Sequence, residues 1–441
     1  MLQEHITDLS KYVEPDRVRR EVYTDPAIFE LEMQRIHERV WIYCGHESQV
    51  PKAGDYCQVQ LGRQPMIMVR GADGKVGVLY NRCPHRGNMI AGDRSGNTGE
   101  FFRCSYHAWT FQHDGRLRSI PMMESGYAGT RWGKGNPDCS MKQAARVENY
   151  RGFVFASLAG EGPSLRDFLG KAIVAFDDMC DRAPEGEVEV VPNCFRVIQH
   201  SNWKIFLENQ LDALHPSVVH QSTGRAAHEV EKDIERKTGH APLSYHMLSA
   251  FATVTIDKWD NFQTLNYPYG HCILTGYMGL RPKDPDTLAY EETLTKAYGR
   301  QRMEEILAVN IHHVLIYPGL SVQSPLQQLR AVRPLGVDRT LTEIWHFRLK
   351  GAPEAIYRRS LAYYNLVNSP ATLINADDLE NFWKCHQGLA SDGGDWVSFG
   401  RHHGRDIEKD GVVETAPNCG TSEAPMRGQM KAWAQYMGNG K

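Results

Sequence analysis

The chain has 441 residues, enough for two or three domains with a well-buried core, and it is 41% hydrophobic and 23% charged, an ordinary globular composition. Its 50 Lys and Arg against 53 Asp and Glu leave a formal net charge of −3, which argues against nucleic acid or an anionic membrane as a bulk electrostatic partner. No apolar run approaches the length of a bilayer span, and the polar start MLQEHITDLSKYVEPDRVRR lacks the apolar core of a secretion signal, so the expected location is the cytoplasm. The 10 cysteines are spread through the chain rather than packed as in a small disulfide scaffold, so most are expected to be buried thiols.

Residues 1–38 read as a charged helical arm, in which Ile28, Leu31 and Ile36 fall near helical spacing. Residues 39–160 differ in texture. Short β-prone runs at Met66–Val69, Val76–Tyr80 and Phe153–Ala156 alternate with Gly, Pro, Asn and Asp clusters, as in a small antiparallel β domain, and GEGPS at 160–164 marks its end. From 161 to 441 the pattern is mixed. Trp203–Leu214 is predicted as a helix that breaks at His215-Pro216, since proline removes a helix donor and clashes with the preceding turn. Val314–Gln327 and Leu341–Lys350 have strand character. Leu341, Glu343, Trp345, Phe347 and Leu349 share one mostly apolar face of the latter. Glu354–Val367 and Leu373–Leu389 are predicted helices separated by Pro370. Strands with helices added at the end suggest an α+β domain, and no glycine-rich phosphate loop follows a strand.

The strongest signal is NRCPHRGNMI followed by FFRCSYHAWTF. It offers Cys83 and His85, then, after eighteen intervening residues, Cys104 and His107. Two thiolates and two imidazoles suit zinc or an iron–sulfur centre. A Cys2His2 finger has a CxxC pair and then an HxxxH pair, whereas here each loop mixes the two donor types. Mixing suits a two-iron cluster with cysteines on one iron and histidines on the other. Pro84 and Gly87 are expected to tighten the first loop, and Tyr106 and Trp109 to shield the second from water.

WIYCGHESQVPKAGDY, RCPHRG and CSYHAWTF resemble the Rieske domain of the ring-hydroxylating oxygenase large subunits, and the resemblance runs through most of the chain, towards the salicylate, terephthalate and halobenzoate oxygenase branch. It implies an N-terminal antiparallel β Rieske [2Fe–2S] domain. It also implies a catalytic domain whose antiparallel sheet is flanked by helices in a helix-grip, START-like arrangement, with the arm 1–38 packed on it.

Downstream, SNWKIFLENQLDALHPSVVH carries Asp212, His215 and His220. Histidines five residues apart lie roughly 140° apart on an unbroken helix, and Pro216 relaxes that constraint so that both rings can face one point. A distant carboxylate would complete a 2-His-1-carboxylate face for Fe(II). The candidates are Asp377 and Asp378 in LINADDLENFWKCHQGL, and the resemblance, with Gln387 further along, favours Asp378. It also implies that Asp212 bridges His107 of one subunit to His215 of the next, because a carboxylate can accept an imidazole N–H on each side; the enzyme is then a ring of at least three subunits. Asn209 sits near the iron in some relatives and is left out of the ligand set. The adjacent pairs His312-His313 and His402-His403 point apart and make poor chelates.

The implied activity is that of a terminal oxygenase component. It uses O2 and NAD(P)H electrons, relayed by a separate reductase and perhaps a ferredoxin, to hydroxylate or cis-dihydroxylate an aromatic compound, with an aromatic carboxylate one option. The implied assembly is a trimer of large subunits with a small β subunit (α3β3). Arg225, Arg281, Arg330 and Arg333 could each clamp a carboxylate, although a surface ion pair is the ordinary role for any one of them. Rivals are a monooxygenase or demethylase on the same scaffold, and a Rieske electron carrier without catalytic iron.

Overall fold

The β-prone runs of the first half pair as short antiparallel strands in the computed structural model, which describes residues 9–276, 281–309 and 311–438. The chain divides into two compact units, one spanning Met33–Leu165 and the other joining the segment up to Glu32 to everything from Arg166 onward. The sequence-based boundaries were 38/39 and 160/161. The first lies further along the chain than the observed division because the helix Pro26–Glu32 ends in a π turn, Met33–His37, that belongs to the β unit.

Three small sheets build the Met33–Leu165 unit. A four-stranded sheet holds Val76–Tyr80, Gln64–Arg70, Asp55–Leu61 and Ser95–Asn97 side by side. In Gln64–Arg70 the residues Met66–Val69 are buried on both faces, which explains a continuous apolar run in place of alternation. Gly62 has φ 55°, the left-handed value that the first central position of a two-residue hairpin demands, and it joins Leu61 to its register partner Gln64. Phe102–Arg103 and Thr110–Phe111 form a second hairpin whose tip is the second Cys/His loop. Tyr56, Ile67, Leu79, Phe102 and Phe111 pack with Cys83, Cys104 and Trp109 into one apolar core beneath the two loops.

The other unit is α+β. A nine-stranded antiparallel sheet runs in the spatial order Val188–Gln199, Arg339–Leu349, Gln328–Gly336, Leu320–Gln323, Ile311–Ile316, Cys272–Gly276, Gln263–Asn266, Val412–Thr415 and Asp406–Lys409. The single strand-like run 314–327 is thus two strands, turned at Tyr317-Pro318. Helices Glu354–Asn368 and Leu373–Leu389 form where periodicity placed them. Among the described residues no helix is long and apolar enough to cross a membrane.

Two local expectations need correction. The helix from Trp203 stops at Asn209, five residues early, because the chain tightens into turns in which Asp212 N–H reaches the Asn209 carbonyl and the Asp212 carboxylate takes Leu214 N–H. In Arg339–Leu349 the face opposite the apolar one is the more buried: Thr340, Thr342, Ile344 and His346 are inside, whereas Leu341, Glu343 and Trp345 are half-exposed. Helix Glu354–Asn368 covers the Ile344 and His346 end of that face, while Thr340 donates to the Ser201 carbonyl and Thr342 accepts from Gln199 Nε2. Tyr364 donates to the Ile344 carbonyl at 2.7 Å, and His346 Nε2 meets Ser360 Oγ at 2.9 Å.

One buried carboxylate ties the ends of this unit together. Glu32, fully buried, accepts hydrogen bonds from Lys204 Nζ at 2.5 Å, Trp203 Nε1 at 2.8 Å and Trp433 Nε1 at 2.6 Å. An ion pair removed from water holds only when both charges keep their partners, so Glu32→Ala strands the buried ammonium. We expect that variant to lose about 3–5 kcal/mol of unfolding free energy, read as a denaturant midpoint shift at unchanged slope. Adding Lys204→Met should recover much of it, and a loss below about 1 kcal/mol for Glu32→Ala alone would show the pair to be dispensable.

Buried histidines set an acid limit. His271 donates from Nε2 to the Phe168 carbonyl at 2.8 Å and accepts Tyr317 N–H on Nδ1 at 3.0 Å, and burial pushes its pKa down to about 4. Burial pushes His346 down to about 4 as well. The unfolded chain takes up these protons below its ordinary pKa near 6.5, whereas the folded chain refuses them until about 4, so stability is present above the window and falls as pH drops through it. In His346→Gln the fall between those values should flatten by up to about 1.4 kcal/mol per pH unit; an unchanged slope would mean that the ring titrates normally.

Candidate metal centres

The two Cys/His loops close in the same way. Cys83 N–H bonds to the Asn88 carbonyl at 2.8 Å and Gly87 N–H returns to the Cys83 carbonyl at 2.9 Å; Cys104 N–H bonds to Trp109 at 2.9 Å and Ala108 N–H returns to Cys104 at 3.1 Å. The fourth residue after each cysteine is left-handed, Gly87 at φ 76° and Ala108 at φ 56°. This turn aims backbone N–H groups at the sulfurs, those of His85 and Arg86 towards Cys83 and those of Tyr106 and His107 towards Cys104. Asn81, buried beneath the first loop, fixes it by accepting Ile90 and Ala91 N–H on Oδ1, both at 2.9 Å.

The imidazoles stand together above the buried thiols. His85 and His107 have ring centroids 4.6 Å apart, and Trp109 stacks on His85 at 5.0 Å and 4°. Trp109 is buried, as the shielding expectation required. Tyr106 lies against His107 at 3.8 Å yet is itself 59% exposed, so it shields one side only. His107 Nδ1 is buried without a hydrogen-bond partner, a costly state for a polar atom unless another group engages it. Among the described residues the one His, Cys, Asp and Glu group close enough to share a single ion lies elsewhere, so these four donors do not converge as a zinc site requires. Neighbouring Cys83 and Cys104 thiols and neighbouring His85 and His107 rings fit a two-iron cluster.

That elsewhere is His215, His220 and Asp378, whose donor atoms all lie within 4.8 Å of one another. His220 Nε2 is 3.3 Å and His215 Nε2 3.7 Å from the same oxygen, Asp378 Oδ1. Each ring is held from behind. His215 Nδ1 donates to the main-chain carbonyl of Asp212 at 2.8 Å, and His220 Nδ1 faces Asp377 Oδ2 at 3.4 Å. An acceptor on Nδ1 selects the tautomer that leaves the Nε2 lone pair for a metal. Burial lowers the His215 pKa; burial also acts on His220, but Asp378 and Asp377 outweigh it and raise that pKa. The donor set, one carboxylate oxygen and two imidazole nitrogens on one side, fits Fe(II) with open positions.

Asp212 therefore contacts His215 through its backbone, not its carboxylate. Both carboxylate bonds fall on Oδ1, from Leu214 N–H at 2.9 Å and Arg401 Nη2 at 3.1 Å, because the side chain caps the turn that ends the helix. Asp377 and Asp378 separate by role, the former behind His220 and the latter between both rings.

The triad lines a pocket of about 940 Å³ counted with its mouth, with Phe251, Trp259, Phe262 and Leu274 among its apolar walls. Gln210, which no motif marks, and Asn209, outside the expected ligand set, both line this pocket, and Asn209 Nδ2 donates to Asp378 Oδ1 at 3.3 Å. Of the four arginines considered, Arg330 alone lines it. Arg225 is exposed, Arg281 pairs with Glu291 and Glu304, and Arg333 with Glu343. Asp377→Asn should weaken iron retention about 10–100-fold against a competing chelator while leaving the fold intact, and unchanged retention would deny the residue an orienting role.

Residues 40–150 match the Rieske [2Fe-2S] domain family, and residues 189–439 match the ring hydroxylating alpha subunit (catalytic domain) family. Toluate 1,2-dioxygenase subunit alpha of Pseudomonas putida is 32% identical over 96% of this chain and 91% of its own length. The anthranilate 1,2-dioxygenase large subunit of Acinetobacter baylyi is 33% identical over 85% and 77%. A solved naphthalene 1,2-dioxygenase with indole bound in the active site superposes with a TM-score of 0.80 at 25% identity, covering 96% of this chain and 93% of that one. The chain belongs to the ring-hydroxylating oxygenase alpha subunits, with a Rieske domain ahead of the catalytic domain.

Proposed function

We propose that this chain is the catalytic large subunit of a terminal oxygenase that cis-dihydroxylates an aromatic acid, with Fe(II) held by His215, His220 and Asp378 and the [2Fe–2S] cluster by Cys83, Cys104, His85 and His107. The family oxygenates aromatic rings with these two cofactors and receives electrons from a reductase. The observation that carries the ligand assignment is the meeting of two imidazole Nε2 atoms with one carboxylate oxygen in the wall of an apolar pocket. The substrate class is supported by relatives that act on toluate and anthranilate, both aromatic acids.

When bound, the iron supplies the redox chemistry that makes dioxygen reactive, and the cluster supplies electrons that originate in NAD(P)H. The chain's own residues prepare that chemistry. The Asp212 carbonyl and the Asp377 carboxylate hold the two Nδ1 protons, so both rings stay fixed in position. Phe251, Trp259, Phe262 and Leu274 give the pocket flat apolar surface that takes an aromatic ring and excludes water from its reacting edge.

Asp212 is a positioning residue in this reading. Its carbonyl holds His215, and its carboxylate, bonded within the chain through Oδ1, would accept the outer N–H of His107 of the partner subunit. That bridge requires a ring of at least three large subunits, which with a small β subunit gives α3β3. The 10 cysteines are spread through the chain, unlike the dense spacing of a secreted disulfide scaffold, which supports a cytoplasmic location.

Purified enzyme should be red-brown with about three irons per chain, two in the cluster and one in the triad. His215→Ala should keep the colour, lose one iron and lose turnover, while Cys83→Ala should lose the colour; turnover persisting in His215→Ala would overturn the ligand assignment. With labelled dioxygen, both oxygen atoms should enter the product, and one labelled atom would identify a monooxygenase instead.

A further inference from the structure

A charged side chain inside a sheet needs a counter-charge, and Arg330 has none in direct contact. It lies on Gln328–Gly336, opposite Ser321 and Ile344, between the fully buried Leu329 and Ala331, in a strand paired on both edges. Its Nη1 donates to Gln210 Oε1 and its Nη2 to Asn368 Oδ1 at 3.0 Å, both neutral amides, and its Nε is buried without a partner. Among the described residues no carboxylate forms an ion pair with it. Burial lowers its pKa, and the field of Asp378 acts in the opposite sense. A guanidinium has five donors; two are taken by amides and one is sealed, so the two remaining Nη hydrogens are left for a ligand. One is on each nitrogen, and a carboxylate has two oxygens to accept them.

The same arginine is connected to the triad. Arg330 Nη1 donates to Gln210 Oε1, Gln210 Nε2 donates to Asn209 Oδ1 at 3.1 Å, and Asn209 Nδ2 donates to Asp378 Oδ1 at 3.3 Å. A guanidinium only donates and a carboxylate only accepts, so the two ends dictate how both amides point. Every oxygen faces the cation and every NH2 faces the anion. Such a chain is polarised from end to end, and a change in charge at one end is felt at the other.

Resting on the aromatic-acid reading above, we propose that Arg330 is the receptor for the substrate carboxylate and that Gln210 and Asn209 carry its occupancy to Asp378. The bound anion neutralises the pocket's unpaired cation and orients the ring by its acid group. It also draws on the guanidinium that polarises the amide chain, which alters the hydrogen bond on the proposed ligand oxygen only when substrate is present.

The test is anaerobic calorimetric titration of the holoenzyme with benzoate and with benzamide, a neutral compound of nearly the same shape. Wild type should prefer benzoate, and Arg330→Met should lose benzoate affinity about 100-fold while benzamide changes less than about threefold. Arg330→Lys keeps the charge and should recover part of the loss, which also serves if the Met variant folds poorly. In Gln210→Leu benzoate should still bind but no longer shift the near-infrared magnetic circular dichroism of the ferrous site. Benzoate affinity retained in Arg330→Met, or no preference for benzoate in wild type, overturns the receptor while sparing the oxygenase reading. A spectral shift persisting in Gln210→Leu overturns the connection, and wild type that binds neither compound overturns both the receptor and the aromatic-acid reading.

Discussion

A histidine can offer one ring nitrogen to a metal in a fixed direction only when something holds the other. The region around His215 and His220 is organised by that constraint. Pro216 starts a new short helix after His215, so the two rings escape the angle that a continuous helix would impose. The turn ahead of it brings the Asp212 carbonyl behind His215. Asp377 and Asp378, neighbours on Leu373–Leu389, leave the helix about 100° apart and so reach different edges of the His220 ring. Two adjacent acids thus do different work, one setting the ring and one facing the shared point.

The Rieske loops solve a related problem with backbone alone. Each turns on a left-handed residue that directs amide N–H groups at a buried sulfur, where they favour the thiolate. In the second loop that residue is Ala108, and an L-residue in this conformation costs about 1–2 kcal/mol relative to the right-handed region. The packing of Trp109 beside it, stacked on His85 within the core, holds the strained turn in place.

How much of this was legible in the sequence depended on the range over which each feature is encoded. The Cys/His loops are local, and four donors within 25 residues announced themselves by type and spacing. Leu373–Leu389 was legible from periodicity and from Pro370 before it. What could not be read was polar burial. Thr340, Thr342 and His346 look like an outward strand face until Ser201, Gln199 and the helix Glu354–Asn368 are brought against them. Arg330 looked like any surface arginine, since nothing within its own strand says that it lines a pocket with two amides for neighbours. Gln210 acquires meaning only through Arg330 and Asn209. The early end of the helix at Asn209 followed from a side-chain cap by Asp212, a choice between two uses of one carboxylate that spacing does not reveal.

The Glu32 junction bears on how the protein is made. Its three donors come from residues 203, 204 and 433, so the carboxylate has its full set of partners only once nearly the entire chain exists. The Met33–Leu165 unit is continuous and contains all of its own strands, so it is complete on the ribosome long before that point. The domain bearing the cluster loops can therefore fold during synthesis, whereas in the oxygenase unit Glu32 gains its third partner only when the helix Ala424–Met437 has been translated.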